Sequence, residues 1–171
     1  MSGETNAEYS KKGCLQMIVI ETGKQLNLVN VLSLRKEITQ AQMKDELGKI
    51  GQFLQANSIK QAGPIVTTTY AIEANGAYDM EVLIPMDKPV DPSPKYRLKP
   101  LFRLVNALYV RHEGDPLQLH NVYEKMIEYI KDNGLQQLTT GYNVTIANMS
   151  AGASADQLMT DVYIGVSDNV L

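Results

Sequence analysis

The sequence of 171 residues contains one cysteine, no tryptophan and two histidines, and each scarcity excludes a kind of structure or chemistry. A single cysteine, Cys14, cannot build an internal disulfide framework, and a cytoplasmic protein fits this usage best. His112 and His120 lie on either side of a predicted strand-to-helix turn, with no cysteine or carboxylate cluster to complete a local set of metal ligands. We therefore expect no metal site.

Further absences narrow the range of functions. No apolar run approaches the roughly 20 residues of a membrane-spanning helix, and the first residues, MSGETNAEYSKKG, lack the apolar core of a signal peptide. The formal net charge of −3 argues against non-specific nucleic-acid binding. No serine lies in a nucleophile elbow and no glycine-rich phosphate loop is present. We expect no membrane, no cofactor and no direct nucleic-acid contact, and an enzyme is the less favoured interpretation.

The sequence does contain an internal repeat. Residues 28–38, LVNVLSLRKEI, return 76 positions later as residues 104–114, LVNALYVRHEG. At the same offset, two stretches carry apolar side chains at helical spacing: Met43, Leu47, Ile50 and Leu54 in the first, and Leu119, Tyr123, Met126 and Ile130 in the second. Each stripe predicts an amphipathic helix whose apolar side packs on the core.

Residues at the ends of these stripes predict the helix limits. Thr39 is a suitable N-cap for the first helix, which is expected to end near Asn57. The second helix follows the sequence GDP, where Asp115 can cap and Pro116 can take the first helical position. Gly134 can supply a left-handed residue at its end.

Strand patterns follow each predicted helix. The segment YDMEVLIPMDKPV (78–90) aligns with LMTDVYIGVSDNV (158–170), now 80 positions apart. Segments rich in β-branched residues, at 64–72 and 141–148, precede them. Each half of the sequence therefore reads strand–helix–strand–strand.

The segments outside the repeat are a linker and a leading stretch. Residues 85–100 hold five of the seven prolines and predict an extended linker between pseudo-repeats at 28–90 and 104–170. The N-terminal stretch CLQMIVIETG is expected to add a strand. The length suits one domain over residues 1–171. We predict an α+β fold in which two β-α-β-β halves share one antiparallel-rich sheet, with both helices on one face and a groove on the other.

Alternation along the strands predicts which side chains line that groove. Leu32, Leu34, Leu108 and Val110 should face the helices. The opposite face collects Glu81, Asp161, Tyr109, Tyr163, Arg35 and Arg111. Carboxylates beside tyrosine rings suit an amphipathic or cationic aromatic ligand, although a solvated sheet face carries the same residue types.

The second half resembles the GyrI-like effector-binding domains, the ligand-sensing modules of multidrug-responsive transcription regulators. The resemblance rests on YVRHEGDPLQLHNVYEKMIEYIKDNG (109–134) followed by LMTDVYIGV (158–166), and on YDMEVLIPM (78–86) in the first half. It implies the same duplicated fold. It also implies a pocket whose acidic residue falls on Asp161, with Gly165 where the family usually has proline.

The resemblance favours a free-standing module that binds small amphipathic molecules, including cationic ones, between its two halves. Asp161 would be the central polar group, Tyr163 and Tyr109 the aromatic walls, and Glu81 the pseudo-symmetric partner of Asp161. If Arg111 pairs with Asp161, neutral or anionic ligands are favoured instead. The alternative is an interaction protein that holds a protein partner in the same groove or at a sheet edge. No DNA-binding segment is expected, and some family members hydrolyse small electrophilic compounds, which Asp161 with Tyr163 could imitate.

Overall fold

The computed structural model describes residues 17–91, 93–146 and 158–168. They form eight long elements in the order strand–helix–strand–strand, twice over. The elements are β1 (Glu21–Ile38), α1 (Gln40–Ala56), β2 (Val66–Ile72), β3 (Tyr78–Pro85), β4 (Arg97–Glu113), α2 (Leu119–Asp132), β5 (Leu135–Ile146) and β6 (Met159–Asp168), with a short 3-10 helix at Pro116–Gln118. The predicted α+β class is confirmed, and this element order is the one predicted from the repeat.

The six strands close into an antiparallel barrel in the order β1-β3-β2-β5-β6-β4. The prediction of a sheet with one open face is therefore wrong. The barrel closes because β1 and β4, which are 18 and 17 residues long, pair with each other. The face opposite the helices is the inner surface of the barrel.

Two wrong boundaries in the sequence prediction concealed this closure. β1 begins at Glu21, well before residue 28, and residues 97–100 of the predicted linker are the first residues of β4. Those residues pair with β1, where Val31 lies opposite Lys99 and Ser33 opposite Arg97. The predicted linker is thus shorter than 85–100.

The N-terminal stretch does not add a separate strand in its described part. Residues 17–20 have no strand assignment, and residues 21–23 are the beginning of β1. Ile18 and Ile20 instead pack against the apolar cluster beneath α2. Cys14 lies outside the described residues.

The cap predicted for α1 is present, and the cap predicted for α2 lies on the short 3-10 helix before it. The Thr39 hydroxyl accepts a hydrogen bond from the Gln42 amide, and the Gln42 side chain accepts one from the Thr39 amide, which completes a capping box for α1. Asp115 caps the short 3-10 helix that leads into α2, rather than α2 itself. Gly134 follows α2 with φ 62, in the left-handed region where glycine is favoured.

The core is divided into three apolar clusters. Leu32 and Leu34 of β1 pack against Ile50 and Leu54 of α1, together with side chains of β3. Leu108 and Val110 of β4 pack against Val122, Met126 and Ile130 of α2, together with side chains of β6. A third cluster fills the barrel interior with Leu26, Leu28, Val31, Val66, Leu83, Leu104, Tyr142 and Val144. Both helices therefore cover the outside of the sheet. Leu32, Leu34, Leu108 and Val110 face them, as predicted.

Asn30 changes which side chains of β1 point into the barrel. It has φ 50, in the left-handed region that asparagine tolerates better than most residues. Leu26 and Leu28 point inward before it, and Val31 does so after it. β4 has a comparable irregularity, because three residue steps from Leu104 to Ala107 lie opposite two steps of β1. The irregularity sets the alternation that turns Tyr109 and Arg111 away from α2.

Candidate functional site

A row of mostly polar and aromatic residues runs across all six strands. Each member lies directly opposite the next in the strand pairing: Arg35 (β1), Glu81 (β3), Thr68 (β2), Tyr142 (β5), Tyr163 (β6) and Tyr109 (β4). Side chains at directly opposite positions of neighbouring strands are close enough to contact one another. The register therefore places three tyrosines side by side on β5, β6 and β4.

The first polar centre is the Asp161 cluster, formed by Asp161, Arg111, Tyr109 and Tyr163. Arg111 Nε donates to Asp161 Oδ1 at 2.8 Å and Arg111 Nη2 donates to Oδ2 at 2.9 Å, which is a bidentate ion pair. The Tyr109 hydroxyl donates to the same Oδ1 at 2.9 Å. The rings of Tyr109 and Tyr163 pack with their centroids 5.1 Å apart.

The electrostatics of this cluster keep its donors protonated. Burial, followed by the hydrogen bond to Asp161, raises the pKa of Tyr109 to about 12. The bond to Asp161 also raises the pKa of the Arg111 guanidinium. Asp161 itself is 6% exposed, so its charge is desolvated and balanced by Arg111. The cluster is a satisfied hydrogen-bond network rather than an isolated carboxylate.

The second polar centre is the Glu81 cluster, formed by Glu81, Ser33, Lys99 and Tyr70. Ser33 Oγ and Lys99 Nζ both donate to Glu81 Oε1, and the Tyr70 hydroxyl donates to Oε2 at 2.7 Å. Burial raises the pKa of the Glu81 carboxyl, but the hydrogen bonds from Lys99, Ser33 and Tyr70 outweigh burial and leave that pKa lowered. Glu81 is therefore an ionised and paired group.

Four of the predicted site residues come together, and the fifth does not. Asp161, Tyr163, Tyr109 and Arg111 form one cluster, on the face to which alternation assigned them together with Glu81 and Arg35. Glu81 belongs to the other cluster, with partners that the sequence analysis did not single out. The sequence held a signal for one of the missed residues. Alternation along GYNVTIAN (141–148) places Tyr142 on the same side of its strand as Val144. Lys99 falls within the predicted linker, so no strand pattern indicated it.

A cleft opens in the wall where β2 and β5 separate. The two strands pair only at Val66, Thr67 and Thr68, and beyond these pairs they diverge. The cleft, of about 430 Å³, is lined by Thr69, Tyr70, Ala71, Ile72, Tyr123, Gln137, Thr140, Gly141 and Asn143. Because β2 and β5 belong to different halves of the chain, this β2–β5 cleft lies between the halves. It is a concave candidate for a bound molecule.

Tyr123 covers one side of the β2–β5 cleft. Its hydroxyl donates to Asn143 Oδ1 at 2.8 Å, and its ring lies directly over Gly141. Burial raises the pKa of Tyr123 to about 12. The sequence assigned Tyr123 only to the core stripe of α2, but the structure also places it at the edge of this opening.

Substituting Gly141 with alanine is expected to displace the Tyr123 ring. A Cβ at Gly141 would overlap the ring atoms, so Gly141→Ala should lower the free energy of unfolding by about 1–2 kcal/mol, the lower part of the range for overpacking. Urea denaturation measures the change. Gly48→Ala is the matched control, because a Cβ at Gly48 meets nothing within 4 Å and alanine is the better helix former. Equal effects of the two substitutions would contradict the packing of Tyr123.

Two other properties of the described residues bear on function. No helix among them is long and apolar enough to cross a membrane. Within residues 17–91, 93–146 and 158–168, no three His, Cys, Asp or Glu side chains come together in a way that could hold a metal ion. The side chains of the two clusters supply hydrogen bonds, ion pairs and aromatic contacts.

Comparison with known proteins gives no match for the sequence but several for the fold. No family model and no curated protein matches the chain. The crystal structure of the EcmrR C-terminal domain superposes with a TM-score of 0.74 at 17% identity, over 90% of this chain and 99% of that domain. The chain has the fold of the EcmrR C-terminal domain.

The same fold occurs within a longer protein and in a protein from Listeria innocua. EcmrR in the cryo-EM structure of an EcmrR–DNA complex gives a TM-score of 0.71 at 16% identity, over 90% of this chain and 58% of EcmrR. The chain thus spans little more than half of the longer EcmrR chain, and 99% of the isolated C-terminal domain. A hydrolase from Listeria innocua gives a TM-score of 0.56 at 11% identity, over 85% of this chain and 92% of the hydrolase. At these identities the likeness concerns the fold alone.

Proposed function

We propose that this chain is an effector-binding module of the GyrI-like type, which binds small amphipathic molecules on the strands of its second β-α-β-β unit rather than between the two units. The sequence resemblance and the EcmrR-like fold agree with each other and support this assignment. The order of elements, repeated once, supports the duplication.

The observation that carries the proposal is the tyrosine wall formed by Tyr109, Tyr163 and Tyr142. These residues lie directly opposite one another on neighbouring strands, and the rings of Tyr109 and Tyr163 pack with their centroids 5.1 Å apart. Tyr109 and Tyr163 are only partly buried, which leaves ring surface for a ligand to contact. Arg111 and Asp161 lie beside this wall and supply directional polar groups. Small-molecule sites commonly combine an aromatic lining with a few placed polar groups in this way.

Removing one ring of the wall is expected to weaken binding. A thermal-shift screen of amphipathic anions, cations and neutral compounds would identify ligands, and calorimetric titration would then compare wild type with Tyr163→Ala. The loss of one aromatic contact should cost about 1–1.5 kcal/mol, or roughly tenfold in affinity.

The control for this titration is Leu117→Ala, which removes an apolar side chain that is 76% exposed and lies outside both clusters. Leu117→Ala should leave the affinity unchanged. If Tyr163→Ala and Leu117→Ala bind a ligand as tightly as wild type does, the tyrosine wall is not the binding surface. Equal weakening by both would also reject it.

A protein partner is the second candidate, and one surface favours it. Val29, Leu101 and Val105 are 58%, 58% and 61% exposed on β1 and β4, and Val29 lies directly opposite Leu101. Exposed apolar patches of this kind often mark interaction sites. A Val29→Ser/Leu101→Ser variant that loses a partner bound by wild type, while the tyrosine wall binds no small molecule, would favour this second function.

A further inference from the structure

Three ion pairs in or beside the row across the six strands share one asymmetry: the acid is the more deeply buried partner in each. The side chains of Arg111 and Asp161 are 47% and 8% exposed. Those of Lys99 and Glu81 are 33% and 6% exposed. Arg35 and Asp79 follow the same pattern, at 54% and 22%. A molecule that approaches any of these pairs from solvent meets the cationic group first.

The acceptor atoms of the deeper acids are already in use. Asp161 Oδ1 accepts from Arg111 Nε and from the Tyr109 hydroxyl, and Oδ2 accepts from Arg111 Nη2. A cationic ligand would have to compete with a bidentate guanidinium for a carboxylate that is 6% exposed. Displacing that guanidinium would leave Arg111 without its partner, at a cost that offsets the new contact.

The donors of the Asp161 cluster are only partly used. The bidentate pair engages Nε and Nη2 of Arg111, and Nη1 lies outside that pair. Lys24 lies over the Tyr109 ring, with its ammonium 5.7 Å from the ring centroid, and is itself bridged to the exposed Glu21. Guanidinium groups bind carboxylates and similar oxyanions through their remaining N–H edge. The tyrosine wall thus ends beside the half-exposed guanidinium of Arg111.

We infer that the ligand of the Asp161 cluster is an amphipathic anion, with an aromatic or otherwise apolar body on Tyr109 and Tyr163 and its negative group against Arg111. This inference rests on the proposed function and names its ligand class. Asp161 then acts as a positioning residue, since it holds the guanidinium beside the tyrosine wall and does not itself contact the ligand.

The test compares two probes of the same shape and opposite charge. Sodium tetraphenylborate, in potassium-free buffer, and tetraphenylphosphonium chloride are titrated calorimetrically against the wild-type chain. We expect the borate to bind about tenfold more tightly than the phosphonium, because the Arg111 guanidinium attracts the charge of the borate and repels that of the phosphonium, without a hydrogen bond to either. Equal or tighter binding of the phosphonium overturns the inference while leaving the proposed function intact. Binding of neither probe overturns the proposed function, and the inference with it.

Two variants and a matched control locate the effect. Arg111→Gln should weaken borate binding by roughly tenfold and strengthen phosphonium binding, because it frees the Asp161 carboxylate. Lys125→Gln removes the same charge from the exposed surface of α2 and should change neither affinity. Identical shifts in both variants would mean that the probes sense only net charge, which overturns the inference.

Asp161→Asn keeps the test decisive if Arg111→Gln fails to fold. It preserves Arg111 and removes only the buried charge, so borate binding should be kept or strengthened and phosphonium binding should not change. A direct recognition role for Asp161 predicts the reverse, with phosphonium binding selectively lost in this variant. Selective loss of the phosphonium overturns the inference.

Discussion

Replacing Ile50 or Met126 with alanine is expected to lower the free energy of unfolding by about 2–5 kcal/mol in each case, the range for truncating a large buried side chain. The two residues are 1% and 0% exposed, and they occupy equivalent positions of α1 and α2 in the repeat. Each packs in the apolar cluster beneath its own helix. Urea denaturation followed by circular dichroism measures both changes.

The controls for these truncations lie on the same helices. Gln52→Ala in α1 and Lys125→Ala in α2 shorten exposed side chains and should change the free energy of unfolding by no more than about 0.5 kcal/mol. A neutral result for Ile50→Ala or Met126→Ala would mean that the corresponding helix does not hold the barrel wall as described. The partly buried Leu47 and Tyr123 should respond less than Ile50 and Met126.

The second large effect concerns Glu46, a carboxylate in α1 that is 4% exposed. Three lysines from different segments cover it: Lys36 and Lys49 lie 3.1 and 3.0 Å from Oε1, and Lys95 lies 3.4 Å from Oε2. Hydrogen bonds from Lys49 and Lys36 lower the pKa of the Glu46 carboxyl to about 2, against the opposing effect of burial, and Lys95 adds to them. The folded state therefore prefers the ionised form.

Because the pKa of Glu46 is lower in the folded than in the unfolded state, its ionised form stabilises the fold at neutral pH. This contribution is complete above the unfolded pKa of about 4.5 and is lost as the pH falls from there toward about 2. Glu46→Gln should lower the free energy of unfolding at pH 7 by roughly 2–3 kcal/mol, a figure reduced for the half-exposed lysines that solvent screens.

Chemical denaturation at pH 7 and pH 2.5 tests the Glu46 cluster. The difference between wild type and Glu46→Gln should shrink markedly at the lower pH. Glu128→Gln is the control, because Glu128 pairs with Lys125 in an exposed i, i+3 salt bridge that should contribute little to the free energy of unfolding. A Glu46→Gln penalty that stays constant across this pH range would show that packing, rather than charge, accounts for the effect.

Local periodicity was enough to predict the elements, but not how the sheet closes. The stripes that contain Ile50 and Met126 predicted both helices, because each helix buries one face against strands adjacent in sequence. Barrel closure depends on the β1–β4 pairing, which includes residues 97–99 opposite residues 31–33, far away in the chain. The proline-rich composition of residues 85–100 concealed the start of β4. Composition describes local stiffness, whereas strand pairing depends on the whole sheet.

Burial of charge was equally difficult to predict from pattern. Glu46 lies where Val122 lies in the second half, yet a glutamate in a helix is normally read as a solvent-facing residue. Only the convergence of three lysines from separate segments makes its burial tolerable. The same holds for Asp161: alternation predicts its side of the strand but does not predict whether it pairs with Arg111. The structure shows the Arg111–Asp161 pair, and our inference about the ligand charge is argued from that pair.

The most direct test of the central claim is a crystal structure of the chain grown with sodium tetraphenylborate. The account predicts phenyl rings packed on Tyr109 and Tyr163, with the Arg111 guanidinium as the nearest charged group and its pair with Asp161 retained. Density for the borate in the β2–β5 cleft beside Tyr123, or on the outer surface of α2, would contradict the assignment of the tyrosine wall as the binding site.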